Sequence, residues 1–480
     1  MATDEGHAAG FRTQTEEIHR QPLSVSGGFP DWLAGEYVAN GPGQFEAGDT
    51  DLVHWFDPLA MVRRVDFDAL TYTNRLVRSR DLEFARESGG VRTPFPGTPP
   101  DRPVWTRLRQ ALTGVFPDNP VIGVQRLDGD LLAVTESPWG LVLDPDTLET
   151  VDRVDLAAGL DCDLTLAHAH YDHDRERFLN LGVSYGPETT YTLFERPADG
   201  GEPTPLSRLR FDESPYVHSF ALTEAYAVVT VNAFGLDPRA LLRGTVTGDT
   251  FLDAFTAVDA GLRFVVLDRE TGRHVHTAET DPAFVYHHAN AFEREGEVVI
   301  DAVAFPDERA VTGLTLDNLR SDDPALPQGD LVRYRLPLGD GRVERTTLHE
   351  GPAEFPMIDY AGRGGREHRF VYLAETDVGS GSSLPTDVAK VDTETGRVRR
   401  WRETGTHPGE PVFVPAPDGD REDDGVLLTV LLDPGAGRSV LVCLDATTLS
   451  ERGRAPLPHR LPYGFHGQYY GPASPGRSMP

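Results

Sequence analysis

The sequence predicts an all-β fold, and three observations carry the prediction. Short runs rich in β-branched and aromatic residues recur along all 480 residues, at 131–136, 178–183, 226–231, 298–303, 370–375 and 426–432. Each has the length of a strand and is bounded by turn residues. Glycine and proline (48 and 38) are spread through the chain rather than gathered into a linker, so it reads as one large domain with few helical segments. The third observation is a weak repeat: Leu143-Asp144-Pro145-Asp146-Thr147, Leu267-Asp268-Arg269-Glu270-Thr271, Val391-Asp392-Thr393-Glu394-Thr395 and Leu444-Asp445-Ala446-Thr447-Thr448. Each reads as a strand running into an Asp-led turn, as at the hairpins of propeller blades. Such turns are common in any β protein, so the repeat alone does not fix the arrangement of sheets.

The residues that carry chemistry are dispersed. His168, His218, His287 and His466 each stand in an apolar or glycine-flanked setting, separated by 50, 69 and 179 residues. Helical metal pairs lie three or four residues apart, so these four meet only if the whole fold gathers them. Glu136, Glu354 and Glu410 stand in similarly apolar settings. A carboxylate there is costly to bury unless it is paired, and a ligating imidazole needs a partner on its second nitrogen. Four imidazoles and three carboxylates therefore suit one metal centre. Imidazole accepts iron, copper, zinc and nickel alike, so the residues alone leave the metal open.

Composition excludes other classes. Against 45 basic residues stand 76 acidic ones, a net charge of −31, which disfavours nucleic acid. Lys390 is the single lysine; an acidic, lysine-poor surface suits a cytoplasm of high salt, where charges are screened over a few ångströms. Residues 1–20 lack the apolar core of a signal peptide, and no run reaches the roughly 20 apolar residues of a membrane span. These features predict a cytoplasmic protein with a flexible acidic start (1–24), a single domain (25–472), catalytic by the resemblance given below, and a flexible tail (473–480). Cys162 and Cys443 imply no disulfide framework.

Several motifs in order identify a resemblance. From Asn40 to His466 the chain is similar to the carotenoid cleavage oxygenases. The match begins with Asn40-Gly41-Pro42-Gly43 and His54-Trp55-Phe56-Asp57, and continues through Thr135-Glu136, Ala167-His168 and Tyr216-Val217-His218-Ser219-Phe220. It closes with His287-His288-Ala289-Asn290-Ala291, Glu354-Phe355-Pro356, Glu410-Pro411-Val412-Phe413 and Phe465-His466-Gly467. Ala169 departs from the pattern, where most members have proline. The resemblance implies a seven-bladed β-propeller with a helical and loop cap over its top face. It implies one Fe(2+) per chain held on the axis by His168, His218, His287 and His466, with Glu136, Glu354 and Glu410 orienting the imidazoles. The implied reaction inserts O2 across a double bond of a carotenoid or apocarotenoid, giving aldehyde products without an organic cofactor. A retinoid isomerohydrolase on the same iron site and a non-catalytic propeller scaffold are the alternatives.

The surroundings follow from period and resemblance. If 216–220 is a strand, Tyr216, His218 and Phe220 share a face and wall the substrate; Tyr286, beside His287, is a further pocket candidate although strand period turns it away. Thr135 is the catalytic candidate beside an open iron position. Stilbene-cleaving relatives carry a lysine there, which argues against phenolic stilbenes as substrates. After the Pro-rich 93–103, Trp105, Leu108, Leu112 and Phe116 recur at helical spacing near Arg102, Arg107 and Arg109. Related proteins carry a lipid-dipping patch in this region, so a peripheral contact with the inner membrane surface is expected.

Overall fold

The computed structural model describes residues 6–113, 115–258, 260–339, 342–380 and 382–472. Strands dominate, in seven antiparallel sheets of at least four strands that follow one another along the chain. The first holds Ile18–Pro22, Thr71–Leu76, Leu59–Asp66, Glu36–Ala39 and Gly467–Tyr470. The second runs from Gly123–Leu127 to Thr150–Asp155 and the third from Leu164–Thr165 to Thr204–Phe211. The fourth runs from Phe220–Leu222 to His274–Thr280, and the fifth from Phe284–Arg294 to Glu344–His349. The sixth runs from Ala353–Met357 to Arg397–Arg402, and the seventh from His407–Pro408 to Glu451–Pro456.

Chain ends join the first sheet to the last. Gly467–Tyr470 pairs with Glu36–Ala39, Ala39 opposite Gly467, while Ser26 pairs with Arg454. The first and last thirds of the sequence thus share hydrogen bonds, which brings His466 to the elements carrying the other histidines.

Each repeat Asp lies at the hairpin between the third and fourth strands of its sheet. Asp144 Oδ1 accepts from the N–H groups of Asp146 (3.0 Å) and Thr147 (2.8 Å), and Asp268 Oδ1 accepts from Thr271 N–H (2.8 Å). Asp392 and Asp445 make the same turn with Thr395 and Thr448. The carboxylate supplies the acceptor that the turning backbone lacks. Outermost strands such as Arg397–Arg402 are mostly exposed, and their arginines discourage pairing with another chain.

Helices sit in the inserts between strands. Arg80–Ser88 begins where Ser79 accepts from Leu82 N–H and ends at Gly89, whose φ of 73° needs glycine. Pro238–Thr247 begins with Asp237 accepting from Arg239 N–H and ends at Gly248, φ 94°. The inserts bind one another: Leu252 N–H donates to Pro96 O (3.0 Å) and Trp55 N–H to Leu314 O (2.9 Å). No helix among the described residues is long and apolar enough to cross a membrane.

The flexible start expected for 1–24 is corrected from Gly6 onward. Gly6–Phe11 is a 3₁₀ helix, Phe11 is fully buried against Trp55 and Tyr463, and Ile18–Pro22 pairs with Thr71–Leu76. Polarity and acidity suggested disorder, but one buried aromatic and a strand pairing anchor the segment. Residues 1–5 and the tail 473–480 lie outside the described residues.

Candidate metal centre

The four histidines lie in or directly before edge strands of four sheets. His168 precedes His170–Asp172, His218 precedes Phe220–Leu222, His287 lies in Phe284–Arg294, and His466 precedes Gly467–Tyr470. Phe220–Leu222, Phe284–Arg294 and Gly467–Tyr470 end the orders of their sheets, and among the described residues His170–Asp172 pairs with Arg177–Ser184 alone. The imidazoles converge: ring centroids stand 4.6 Å apart for His168 and His218, 4.9 Å for His168 and His287, and 4.8 Å for His168 and His466. His168 Nε2 lies 3.0 Å from His218 Nε2, and candidate ligand atoms of His168, His218 and His287 lie within 4.8 Å of one another.

Behind three of the rings stand the three glutamates. His218 Nδ1 lies 2.8 Å from Glu136 Oε1, His287 Nδ1 2.7 Å from Glu354 Oε2, and His466 Nδ1 2.8 Å from Glu410 Oε1. A carboxylate only accepts, so each of these Nδ1 atoms carries the proton. The Nε2 of each ring is then a bare lone pair. Glu410 is further fixed by Gly467 N–H, which donates to Oε2 at 2.7 Å, and Glu136 by the Tyr216 hydroxyl, which donates to Oε1 at 2.6 Å. Among the described residues, His168 Nδ1 has no such partner.

Electrostatics agree with that tautomer. Burial, then the neighbouring imidazoles, holds His168 and His287 well below the usual histidine range, so both are neutral. Burial, then Glu136, raises the Tyr216 hydroxyl and keeps it a donor. Burial pushes the Glu354 carboxyl up to about 7, against the Phe355 N–H and the imidazoles of His466 and His218, so the acceptor-only form that fixes the His287 tautomer is the one present above that pH. His287 Nε2 is buried and has no hydrogen-bond partner. An orphaned lone pair among imidazoles, three of them locked from behind, fits a cation.

In front of the rings lies an apolar cavity of about 150 Å³. His218, His287 and His466 form its floor; Phe56, Tyr286, Phe305, Phe355 and Phe465 form its walls. Ala310, Leu314 and Leu326 from the helical inserts close one side, so the cap lies on the histidine face.

Two pocket expectations fail. Residues 216–219 are not a strand, so period two does not apply there. Tyr216 stands behind Glu136 and His218, and Phe220 packs on His170 (4.5 Å between centroids) in the core with Leu166 and Leu179; neither lines the cavity. Tyr286 does line it, beside His287, because the strand register shifts between Val285 and His288 and brings both side chains inward. Thr135 is half-buried beside Glu136, outside the cavity wall.

Sequence reasoning passed over the other walls. Phe355 stacks on His287 (5.9 Å, 25°) and meets His466 (5.5 Å) from a left-handed backbone, φ 55°, with its N–H donated to Glu354. Trp55, Phe56, Phe355 and Phe465 each lie inside a recognised motif, which was the available signal. His54 and Asp57, by contrast, tie the inserts together: His54 Nε2 binds Val311 O (2.9 Å) and Asp57 accepts from Thr98 (2.6 Å).

On the surface, Trp105 is 68% and Leu112 87% exposed on the helix Val104–Thr113, with Leu108 beside them. Phe116 lies beyond that helix and is half-buried, so it is not part of the exposed face. The helix ends at Thr113, and spacing alone had carried the pattern past it.

Comparisons place this geometry among known proteins. A family model described as "Retinal pigment epithelial membrane protein" matches residues 11–471. The beta,beta-carotene 15,15'-dioxygenase of Gallus gallus is 30% identical, over 95% of this chain and 97% of its own length. The mitochondrial carotenoid-cleaving dioxygenase of Macaca fascicularis is 30% identical, over 96% and 94%. Among solved structures, cobalt-substituted Synechocystis apocarotenoid oxygenase has the same fold, with TM-score 0.86 at 24% identity over 98% of this chain and 99% of that one.

Proposed function

The chain belongs to the retinal pigment epithelial membrane protein family, and we propose that it is an iron(II) dioxygenase that cleaves a carbon–carbon double bond of a carotenoid or apocarotenoid. One observation carries the reading: three imidazoles, each tied through Nδ1 to a glutamate, gather around His168 with ring centroids 4.6–4.9 Å from its own, beside an aromatic-walled cavity. His168, His218, His287 and His466 are the proposed ligands; Glu136, Glu354 and Glu410 hold the tautomer and raise the donor strength of three of them. Iron(II), when bound, supplies the activation of O2. The protein supplies position: the cavity takes a flat apolar polyene, and its walls keep water from the reacting bond.

The stoichiometry needs no external reductant. Breaking the double bond releases four electrons, which reduce O2, and each oxygen atom ends in one of two carbonyl products. Thr135, adjoining Glu136, is proposed to limit access beside the ion. The seven sheets are read as seven blades about an axis through the imidazoles. Trp105, Leu108 and Leu112 are proposed to meet a lipid surface, from which so apolar a substrate is drawn.

The test is product analysis. Iron-loaded protein is incubated with dispersed β-carotene and apocarotenals, with and without O2, beside His287→Ala. Carbonyl pairs that require both O2 and His287 support the reading, and their masses identify the bond. Iron bound without cleavage of any of these substrates would overturn it, as would products formed without O2, which point to hydrolytic isomerisation.

A further inference from the structure

A second cavity, of about 60 Å³, lies behind the wall of the first. Trp55, Phe355, Leu384, Pro385 and Phe465 line both. The rest of its lining is apolar except for Tyr37, Asn40, Arg63, Glu410, Ser439 and Tyr463. Arg63 is only 4% exposed. Its Nη1 donates to Pro462 O at 3.1 Å, while Nε and Nη2 have no acceptor. Among the described residues no carboxylate pairs with it. The same cavity holds another orphaned donor, the buried hydroxyl of Tyr463.

The site is built to admit this side chain. A Cβ on Gly41 would stand 2.4 Å from Arg63 Nη2 and 2.7 Å from Gly464 Cα, and one on Gly464 would stand 3.3 Å from Nη2. Two glycines therefore make room for the guanidinium. A buried cation with no carboxylate within salt-bridge distance is costly, and buried donors are normally satisfied. A water could take up one donor but would not offset the charge. A guanidinium with free N–H groups suits a carboxylate or carbonyl oxygen.

We propose that the Arg63 cavity receives the oxygenated end, carbonyl or carboxylate, of a polyene whose double bond lies at the four imidazoles. Arg63 is then a specificity residue that favours chains oxidised at one end over hydrocarbons. The inference rests on the reading of the metal-facing cavity as the polyene site. A free anion such as chloride shares the same chemistry, and the experiment separates the two.

Binding is measured on metal-free protein by the absorbance change of β-apo-8′-carotenal, of the matching carotenoic acid and of β-carotene. Arg63→Met is expected to weaken the two oxygenated ligands at least tenfold and to leave β-carotene within twofold. Arg63→Lys is expected to recover part of the loss. Val430→Phe, which narrows the cavity from a half-buried wall position and leaves the guanidinium in place, is expected to give the same selective loss and carries the test if Arg63→Met fails to fold. Equal affinity of wild type and these variants for all three ligands overturns the assignment. So does a chloride-dependent rise in Tm that vanishes in Arg63→Met while carotenal affinity stays unchanged, because the occupant is then the free ion. Failure of wild type to bind any of the three removes the polyene reading itself, and this proposal with it.

Discussion

Replacing Glu410 by glutamine tests whether the carboxylates behind the imidazoles set the metal site or only fill space. Glu410 accepts twice, from His466 Nδ1–H at 2.8 Å through one oxygen and from Gly467 N–H at 2.7 Å through the other. Glutamine has nearly the same shape but offers one acceptor and one donor group. If its oxygen serves His466, its NH2 faces the Gly467 N–H, and two donors oppose each other in a buried site. If its oxygen serves Gly467, its NH2 faces His466 Nδ1 and forces the proton to Nε2, the atom proposed to hold the metal. Either choice penalises the bound state. Loss of such a partner typically lowers metal affinity 10- to 100-fold, which is about 1.4–2.7 kcal/mol. Titration of metal-free protein with Co(II), followed by its visible absorption, reads the affinity directly. Glu410→Gln that folds and binds cobalt as tightly as wild type would refute the tautomer argument and the proposed role of all three glutamates.

Three further outcomes are expected. Burial, with Arg63 and Arg460 nearby, lowers His459 to about 4, while its Nε2 pairs with the Tyr72 hydroxyl at 3.0 Å. The group is neutral in both states above its unfolded value of about 6.5; as pH falls below that, the unfolded chain binds the proton first and stability is lost down to about pH 4. The loss is about 3 kcal/mol, so His459→Gln should flatten the pH profile of urea unfolding by that amount, and an unchanged slope refutes the assignment. Lys390 Nζ donates to Asp423 (2.6 Å) and Ala446 O (2.9 Å) over the ring of Phe370. Lys390→Met should cost about 3 kcal/mol, the low end for breaking a buried pair because Arg421 still reaches Asp423, and a Tm unchanged within 1 °C would contradict it. Trp105→Ser with Leu112→Ser should reduce co-sedimentation with anionic lipid vesicles at least tenfold, since each apolar side chain contributes about 1.5–3 kcal/mol when buried; undiminished binding removes this face from the proposed membrane contact.

What the sequence made legible follows from what each signal depends on. The Asp144, Asp268, Asp392 and Asp445 turns were visible because a carboxylate capping its own hairpin is a local matter, complete within five residues. Phe11 and the Ile18–Pro22 strand were missed because their order depends on Trp55, Tyr463 and Thr71–Leu76, none of which is local. The four histidines and three glutamates were found by motif, yet nothing in their spacing shows that they meet. That depends on strand edges from four sheets and on pairing between Glu36–Ala39 and Gly467–Tyr470, more than 400 residues apart. Strand period misled at Tyr216, Phe220 and Tyr286 for one reason: the backbone around His218 and His287 is irregular, an open segment in one case and a register shift in the other. A site that must turn several side chains inward from neighbouring positions breaks the alternation that would put half of them outside. Where the period fails beside a motif histidine, the failure itself marks the chemistry.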